Sequence, residues 1–198
     1  MKILLIGAGG TIGKAIDKEL SPRHEIVRIG RTSGDFHVDI SDSASIRKLF
    51  EQTGKFDALI CAAGNVTFAP LAEMTEDSFA LGLKDKLMGQ VNLLLIGREF
   101  ANDGASFTFT TGVLSHDPIR SGACAALVNG ALDSFVRAAA IELPRGLRVN
   151  SISPNVLVEA MDKYAPYFRG FKPVPAVDVA LAYAKSVEGL QTGQTFHI

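Results

Sequence analysis

Residues 2–14, KILLIGAGGTIGK, constrain the fold of this chain more than any other stretch. An apolar run, Ile3 to Ile6, breaks into glycines and then resumes with helix-forming residues. A continuous apolar run of strand length is expected of a parallel strand covered on both faces. Gly7, Gly9 and Gly10 let the chain turn without Cβ atoms, and Gly13 lets the following helix lie close to the strand. Backbone N–H groups at such a helix start have no intrahelical acceptor. They form a seat for a phosphate.

Spacing decides which phosphate. A Walker loop, G-x-x-x-x-G-K-[ST], would need glycine and Ser or Thr where Ala8 and Ala15 stand. The fingerprint G-x-G-x-x-G fails once, because Ile12 occupies its last glycine. Gly7, Gly10 and Gly13 instead read G-x-x-G-x-x-G, with Thr11 and Ile12 inside the turn. On its own this also describes a glycine-rich βα turn without a ligand, so the residues that follow must decide.

The second strand, Glu25 to Ile29, runs into Gly30-Arg31-Thr32-Ser33. In a dinucleotide fold this junction meets the adenosine ribose, where an acidic residue selects a free 2′-hydroxyl and an arginine accommodates a 2′-phosphate. Arg31 with two neighbouring hydroxyls suits a phosphate dianion, hence NADP ahead of NAD. A solvated loop arginine is the alternative.

Further along, the pattern predicts a helix over Thr11–Leu20 and a strand over Phe36–Ile40 carrying Asp39. A helix capped by Ser41 follows, to about Gln52, and then a buried strand over Phe56–Cys61. That strand ends in Ala62-Ala63-Gly64-Asn65, small residues that let a flat ring approach the backbone. One long, largely apolar helix is expected from Thr75 to about Asn102, and a second over Ala123–Leu143, stopped by Pro144. Strands at Ser106–Thr111, Leu147–Ile152 and Gln194–Ile198, with a helix over Val177–Val187, complete the series. These alternations, without repeat or linker, predict an α/β, doubly wound parallel sheet of Rossmann type: a single domain over residues 1–198.

Composition narrows the function classes. The 198 residues are 47% hydrophobic and 21% charged, with a net charge of −1, an ordinary globular balance with no electrostatic case for nucleic acid or an anionic membrane. The first strand follows Met1 directly and no apolar run reaches a membrane span, so a cytoplasmic protein without membrane contact is expected. Cys61 and Cys124 have no C-x-x-C partners, and His24, His37, His116 and His197 lack ligand spacing. No metal site or disulfide framework is expected.

The chain resembles the short-chain dehydrogenase/reductase family over nearly its whole length. The glycine turn, Asp39-Ile40, CAAG at Cys61–Gly64, LRVNSISPN at Leu147–Asn155 and TGQTFHI at Thr192–Ile198 occur in the family's order and spacing. The resemblance implies Gly7, Gly10 and Gly13 at the pyrophosphate, Arg31 at the 2′-phosphate and Asp39 at the adenine. It also implies Ala62, Ala63 and Gly64 on the adenosine side, with Pro154 and Val156 near the nicotinamide. It implies an oxidoreductase using NAD or NADP on alcohol and carbonyl groups of a small-molecule substrate, and a homo-dimer or homo-tetramer formed through the two long helices.

The pattern departs from the family at the chemistry. Family members use a Tyr, a Lys four residues later, a preceding Ser and an Asn on the earlier long helix. The Tyr moves the substrate proton, and the Lys lowers its pKa and holds the nicotinamide ribose. Alignment sets Ala125 at the Tyr, Asn129 at the Lys and Lys86 at the Asn, with the Ser position within Thr110–Gly112, where Thr111 offers a hydroxyl. Lys86 is thus the candidate acid or electrostatic clamp, with an outward, solvated lysine as its alternative. Asn129 is a candidate ribose ligand or a buried packing amide. His116 sits in a loop between Ser115 and Asp117, where consecutive side chains do not converge as a triad, and Cys124 has no neighbouring base.

The segment 156–174, with Met161, Tyr164, Tyr167, Phe168 and Phe171, replaces the family's longer lid, either as a reduced lid or as a packing strip between subunits. Two function classes follow. One is an NADP-dependent reductase with displaced acid–base groups; the other is a non-catalytic NADP(H)-binding sensor or scaffold.

Overall fold

Each apolar run enters the molecule as a strand whose alternate side chains feed two different cores. The computed structural model describes residues 1–198. Its strands are β1 (Lys2–Ile6), β2 (Glu25–Gly30), β3 (Phe36–His37), β4 (Phe56–Cys61), β5 (Ala101–Thr110), β6 (Arg148–Ser153) and β7 (Thr195–His197). They form one seven-stranded sheet in the order β3-β2-β1-β4-β5-β6-β7, with every pair parallel. The single doubly wound domain expected over 1–198 is this sheet with helices on both faces.

Period-two alternation assigns the faces. Leu4 and Ile6 of β1 join Phe50, Phe56, Phe107 and Leu132 in one core, while Ile3 and Leu5 join Ile16, Leu20 and Tyr183 in the other. The first face is covered by α2 (Ser43–Thr53), α4 (Met88–Gly97) and α5 (Ala123–Glu142), the second by α1 (Thr11–Leu20) and α7 (Ala176–Glu188). Each fully buried Leu, Ile or Phe contributes about 1.5–3 kcal/mol by leaving water. The chain leaves β1 toward β2 and β3, then returns to β4 on β1's other side. The carboxyl ends of β1 and β4 therefore flank the switch point where open α/β sheets hold ligands.

Several expected boundaries move. β3 stops at His37 rather than Ile40: Val38 N still donates to Gly30 O, but Asp39 N turns away to Ser45 Oγ at 3.0 Å. The cap of α2 is Asp42, whose Oδ1 accepts from Ala44 N at 2.9 Å, whereas Ser41 gives its hydroxyl to Asp39 Oδ1.

The long helix expected over 75–102 is not continuous. Thr75 caps α3 (Glu76–Gly82) through a reciprocal bond with Ser78, a π-turn occupies Leu83–Leu87, and α4 ends at Gly97. Ala101 already pairs with Phe56 of β4. After an irregular excursion the ladder resumes at Ala58 and Ser106, where regular β5 was expected to begin.

α5 is long and apolar enough to cross a membrane by length and composition, with a mean hydropathy of 1.3, contrary to the expectation that no run would reach this. In the fold it lies on the sheet, burying Val128, Leu132 and Val136 together with the polar Asn129 and Asp133.

Residues 156–174 form a strap closed at its base by Val158 N to Val174 O and Val174 N to Val156 O, both 3.0 Å. It carries α6 (Met161–Tyr164) and inserts Phe168 into a small core with Val113, Leu114, Ala125 and Val156.

Candidate functional site

The glycine turn works by removing atoms. Gly7 has φ +85° and its N–H donates to Ile29 O at 2.8 Å, tying the turn to β2. A Cβ on Gly7 would lie 2.5 Å from Ala62 O, and one on Gly13 only 2.1 Å from Gly7 O. α1 consequently starts hard against the ends of β1 and β4. Gly10 is its N-cap and no side chain caps it, so the N–H groups of the first turn at Thr11, Ile12 and Gly13 are left for an external anion. These residues fit a dinucleotide pyrophosphate.

On one side of the turn lies a cavity of about 390 Å³, lined by Gly7, Gly30, Arg31, Val38, Ile40, Ala62–Asn65 and Asp85. Arg31, with Thr32 beside it in the exposed loop, reaches into the cavity. Its Nη2 stands 3.7 Å from Asp39 Oδ1 and 3.8 Å from Asp85 Oδ1. Asp39 accepts from Ser41 Oγ at 2.7 Å and Ser41 N at 2.9 Å, and these two bonds hold its carboxyl below the usual carboxylate range. Asp85 is buried. Its Oδ2 accepts from Asn65 N at 3.0 Å and Asn65 Nδ2 at 2.6 Å, while Oδ1 has no hydrogen bond.

On the other side is a cavity of about 380 Å³. Lys86, Thr111 and Asn129 meet there, with Ile12, Ala62–Gly64 and Ala125 on the walls, Pro154 and Val156 at the end of β6, and Tyr164 and Phe168 from the strap. Lys86 does not point outward: Nζ donates to Asn129 Oδ1 at 2.7 Å and to Thr111 O at 3.2 Å. Burial of the amine pushes its pKa down to about 8. An ammonium has three donors and no acceptor, so with two engaged the third is free for a group in the cavity.

The supporting contacts show how the lysine is held. Thr111 meets Lys86 through its carbonyl, since its hydroxyl donates to Ile152 O at 3.3 Å. Asn129 Nδ2 reaches Gly112 O at 3.5 Å, which leaves Oδ1 to the lysine. Gln90, fully buried, accepts from Thr110 N at 2.9 Å and donates to Thr110 O at 3.1 Å and Lys86 O at 3.3 Å. This side chain fixes the start of α4 to the end of β5 and thereby positions Lys86. Gly64, at φ +131°, leaves room for the stem: a Cβ there would be 2.6 Å from Lys86 Cγ.

Other candidates lie elsewhere. His116 packs edge-on against His197, ring centroids 4.4 Å apart, in a separate polar cavity on the outer side of α5. Cys124 is buried beneath Gly82, whose Cβ would meet Sγ at 2.7 Å. Cys61 is also buried, and this pushes its thiol up to about 12.

Asp85 and Gln90 were missed by sequence reasoning, while Asn65 and Tyr164 entered it only as members of the small-residue strand end and of the strap. Asp85 stands between Lys84 and Lys86 and reads as part of a solvated charged stretch. No break in apolar periodicity marks it, because the helical pattern runs through the π-turn.

A family model described as enoyl-(acyl carrier protein) reductase matches residues 13–187. The short-chain dehydrogenase/reductase ATR9 of Stachybotrys chlorohalonatus is 29% identical over 185 residues, covering 87% of this chain and 67% of that protein. The NADPH carbonyl reductase 2 of Sus scrofa is 24% identical over 181 residues, covering 82% and 74%. The crystal structure of protein lin1944 from Listeria innocua superposes with a TM-score of 0.99 at 52% identity, over 100% of this chain and 99% of that one. A small-chain dehydrogenase in complex with NADPH matches with a TM-score of 0.88 at 26% identity, over 100% and 96%. With the glycine turn, the parallel sheet and these matches together, the chain belongs to the short-chain dehydrogenase/reductase family.

Proposed function

We propose that this chain is an NADP-dependent oxidoreductase acting on a small carbonyl or alcohol substrate, with Lys86 as its proton donor. The observation that carries the reading is the Lys86 ammonium: two of its donors are occupied by Asn129 Oδ1 and Thr111 O, and it faces the second cavity. NADP is supported by Arg31 at the end of β2, by the similarity to an NADPH carbonyl reductase and by the similarity to a small-chain dehydrogenase in complex with NADPH. When bound, NADPH supplies a hydride. The chain must then give a proton, or at least a donor, to the developing alkoxide. A lysine of pKa about 8 remains largely protonated at neutral pH and gives a proton more readily than an ordinary one. Asn129 and Thr111 hold it in place, and the strap residues Tyr164 and Phe168 limit water on the open side.

The chain also carries exposed apolar residues on α3, α4 and α5, namely Leu81, Met88, Leu95 and Leu127. They support a homo-dimer or homo-tetramer, in keeping with a cytoplasmic enzyme.

A second reading, a non-catalytic NADP(H)-binding sensor or scaffold, is favoured by one observation: α5 contains neither Tyr nor Lys, with Ala125 and Asn129 at the positions aligned to the family pair. The two separate in one experiment. Thermal melting with NADPH is followed by NADPH consumption over a panel of carbonyl compounds. The oxidoreductase reading expects stabilisation of about 2.7 kcal/mol at a hundredfold excess over Kd, together with turnover. Stabilisation without turnover on any carbonyl leaves the sensor. Absence of stabilisation ends both.

A further inference from the structure

We propose that Asp85 limits the preference for a 2′-phosphorylated cofactor by competing with that phosphate for Arg31. The proposal rests on reading the cavity beside Arg31 as the adenosine site.

Asp85 is 3% exposed, and both hydrogen bonds from Asn65 fall on Oδ2. The carboxylate therefore has no freedom to rotate Oδ1 away. That oxygen is left without a hydrogen bond on the wall of the cavity, and the cation near it is the Arg31 guanidinium, at 3.8 Å. Asp39 Oδ1 faces the same Nη2 at 3.7 Å. Both separations are too long for hydrogen bonds, so Arg31 is shared between two anions and bound tightly by neither.

Burial decides which anion matters more. Asp39 is about half exposed and already accepts two bonds from Ser41, so water and those bonds damp its pull. Asp85 is desolvated, unsatisfied at Oδ1 and poorly screened. A 2′-phosphate must draw the guanidinium from this carboxylate and then remain near a buried like charge. A free 2′-hydroxyl meets neither cost. Arg31 alone would read as a selector for the phosphate; Arg31 with Asp85 is a moderated one.

The test is titration of the full-length protein with NADPH and with NADH. Asp85→Asn keeps an oxygen for Asn65 and replaces the charged edge by an amide donor. It is expected to tighten NADPH by roughly tenfold while NADH shifts by less than about twofold. In an Arg31→Gln background only the direct repulsion is left to relieve, so the same substitution is expected to tighten NADPH by about threefold or less. An unmoved NADPH-to-NADH ratio, or a gain undiminished without Arg31, overturns the proposal. Asp85→Ser removes the charge with less bulk and reads the same ratio if the Asn variant does not fold. On the unaltered protein, adding a 2′-phosphate to 5′-AMP is expected to improve binding by less than about tenfold, and a larger gain overturns the proposal. An unaltered protein that binds neither dinucleotide overturns the functional reading instead, so the two failures are distinguishable.

Discussion

Lys86 illustrates how far a single residue can be read from sequence. Alignment with the family placed it at the position of a catalytic Asn, but only packing decides between an outward and an inward lysine. Here Gly64 vacates the space for its stem, and Asn129 Oδ1 with Thr111 O accepts hydrogen bonds from its ammonium. Asp85, one residue earlier, was not legible because a buried aspartate between two lysines has the same local pattern as a solvated one. The pKa of about 8 makes a signed prediction. The donor is the protonated amine, so carbonyl reduction is expected to be level below about pH 7. It should fall tenfold per unit above about pH 8, read as kcat/KM against pH. A profile level through alkaline pH would remove Lys86 from the chemistry. Lys86→Met is expected to lower the rate by about 10² to 10⁴ with NADPH binding retained. Asn129→Asp puts an opposite charge beside the ammonium, favours its protonated form, and should move the alkaline limb upward by about one unit or more. A packing role for Asn129 would change stability and leave the limb where it is.

At the scale of elements, the strand–turn–helix unit was legible and the π-turn was not. Glycine spacing is a direct consequence of sterics: with a Cβ at position 13 only 2.1 Å from Gly7 O, the space between α1 and the turn admits no side chain. Gly13→Val is therefore expected to destabilise the fold by about 3 kcal/mol or more and to abolish stabilisation by NADPH, measured by urea denaturation with and without cofactor. A midpoint matching the parent would show that α1 can move off the turn. The π-turn over Leu83–Leu87 leaves no such signature, because apolar residues on both sides of it average into one helical period. It has consequences for the site all the same. Asp85 lines the cavity beside Arg31 and Lys86 the cavity beneath the strap, so one irregular turn serves both halves of the cleft. π-turns recur at functional sites.

For the molecule as a whole, the parallel sheet was legible because its strands are apolar runs punctuated by turn residues, and the alternation with helices leaves few topologies. The contents of the interior were less so. α5 is apolar around much of its circumference, which from sequence describes either burial or a covered outer face. The fold divides these: Leu132 and Val136 enter the core, while Leu127 and Ile141 face out, alongside exposed Leu81, Met88 and Leu95 on α3 and α4. Scattered exposed leucines need no explanation, but their recurrence on the outer sides of neighbouring helices argues for a second copy of the chain. The parent protein is expected to elute as a dimer or tetramer in size-exclusion chromatography with light scattering. Leu95→Glu combined with Leu127→Glu is expected to shift it to a smaller species, because a buried interface tolerates unpaired charge poorly. Neither residue lines the two cavities, so NADPH should still raise the melting temperature of the smaller species. The melting temperature of the parent should also rise with protein concentration, since association stabilises the folded state by mass action. A monomeric parent whose melting is independent of concentration would assign these leucines to ordinary surface and leave the two cavities as a site complete within one chain.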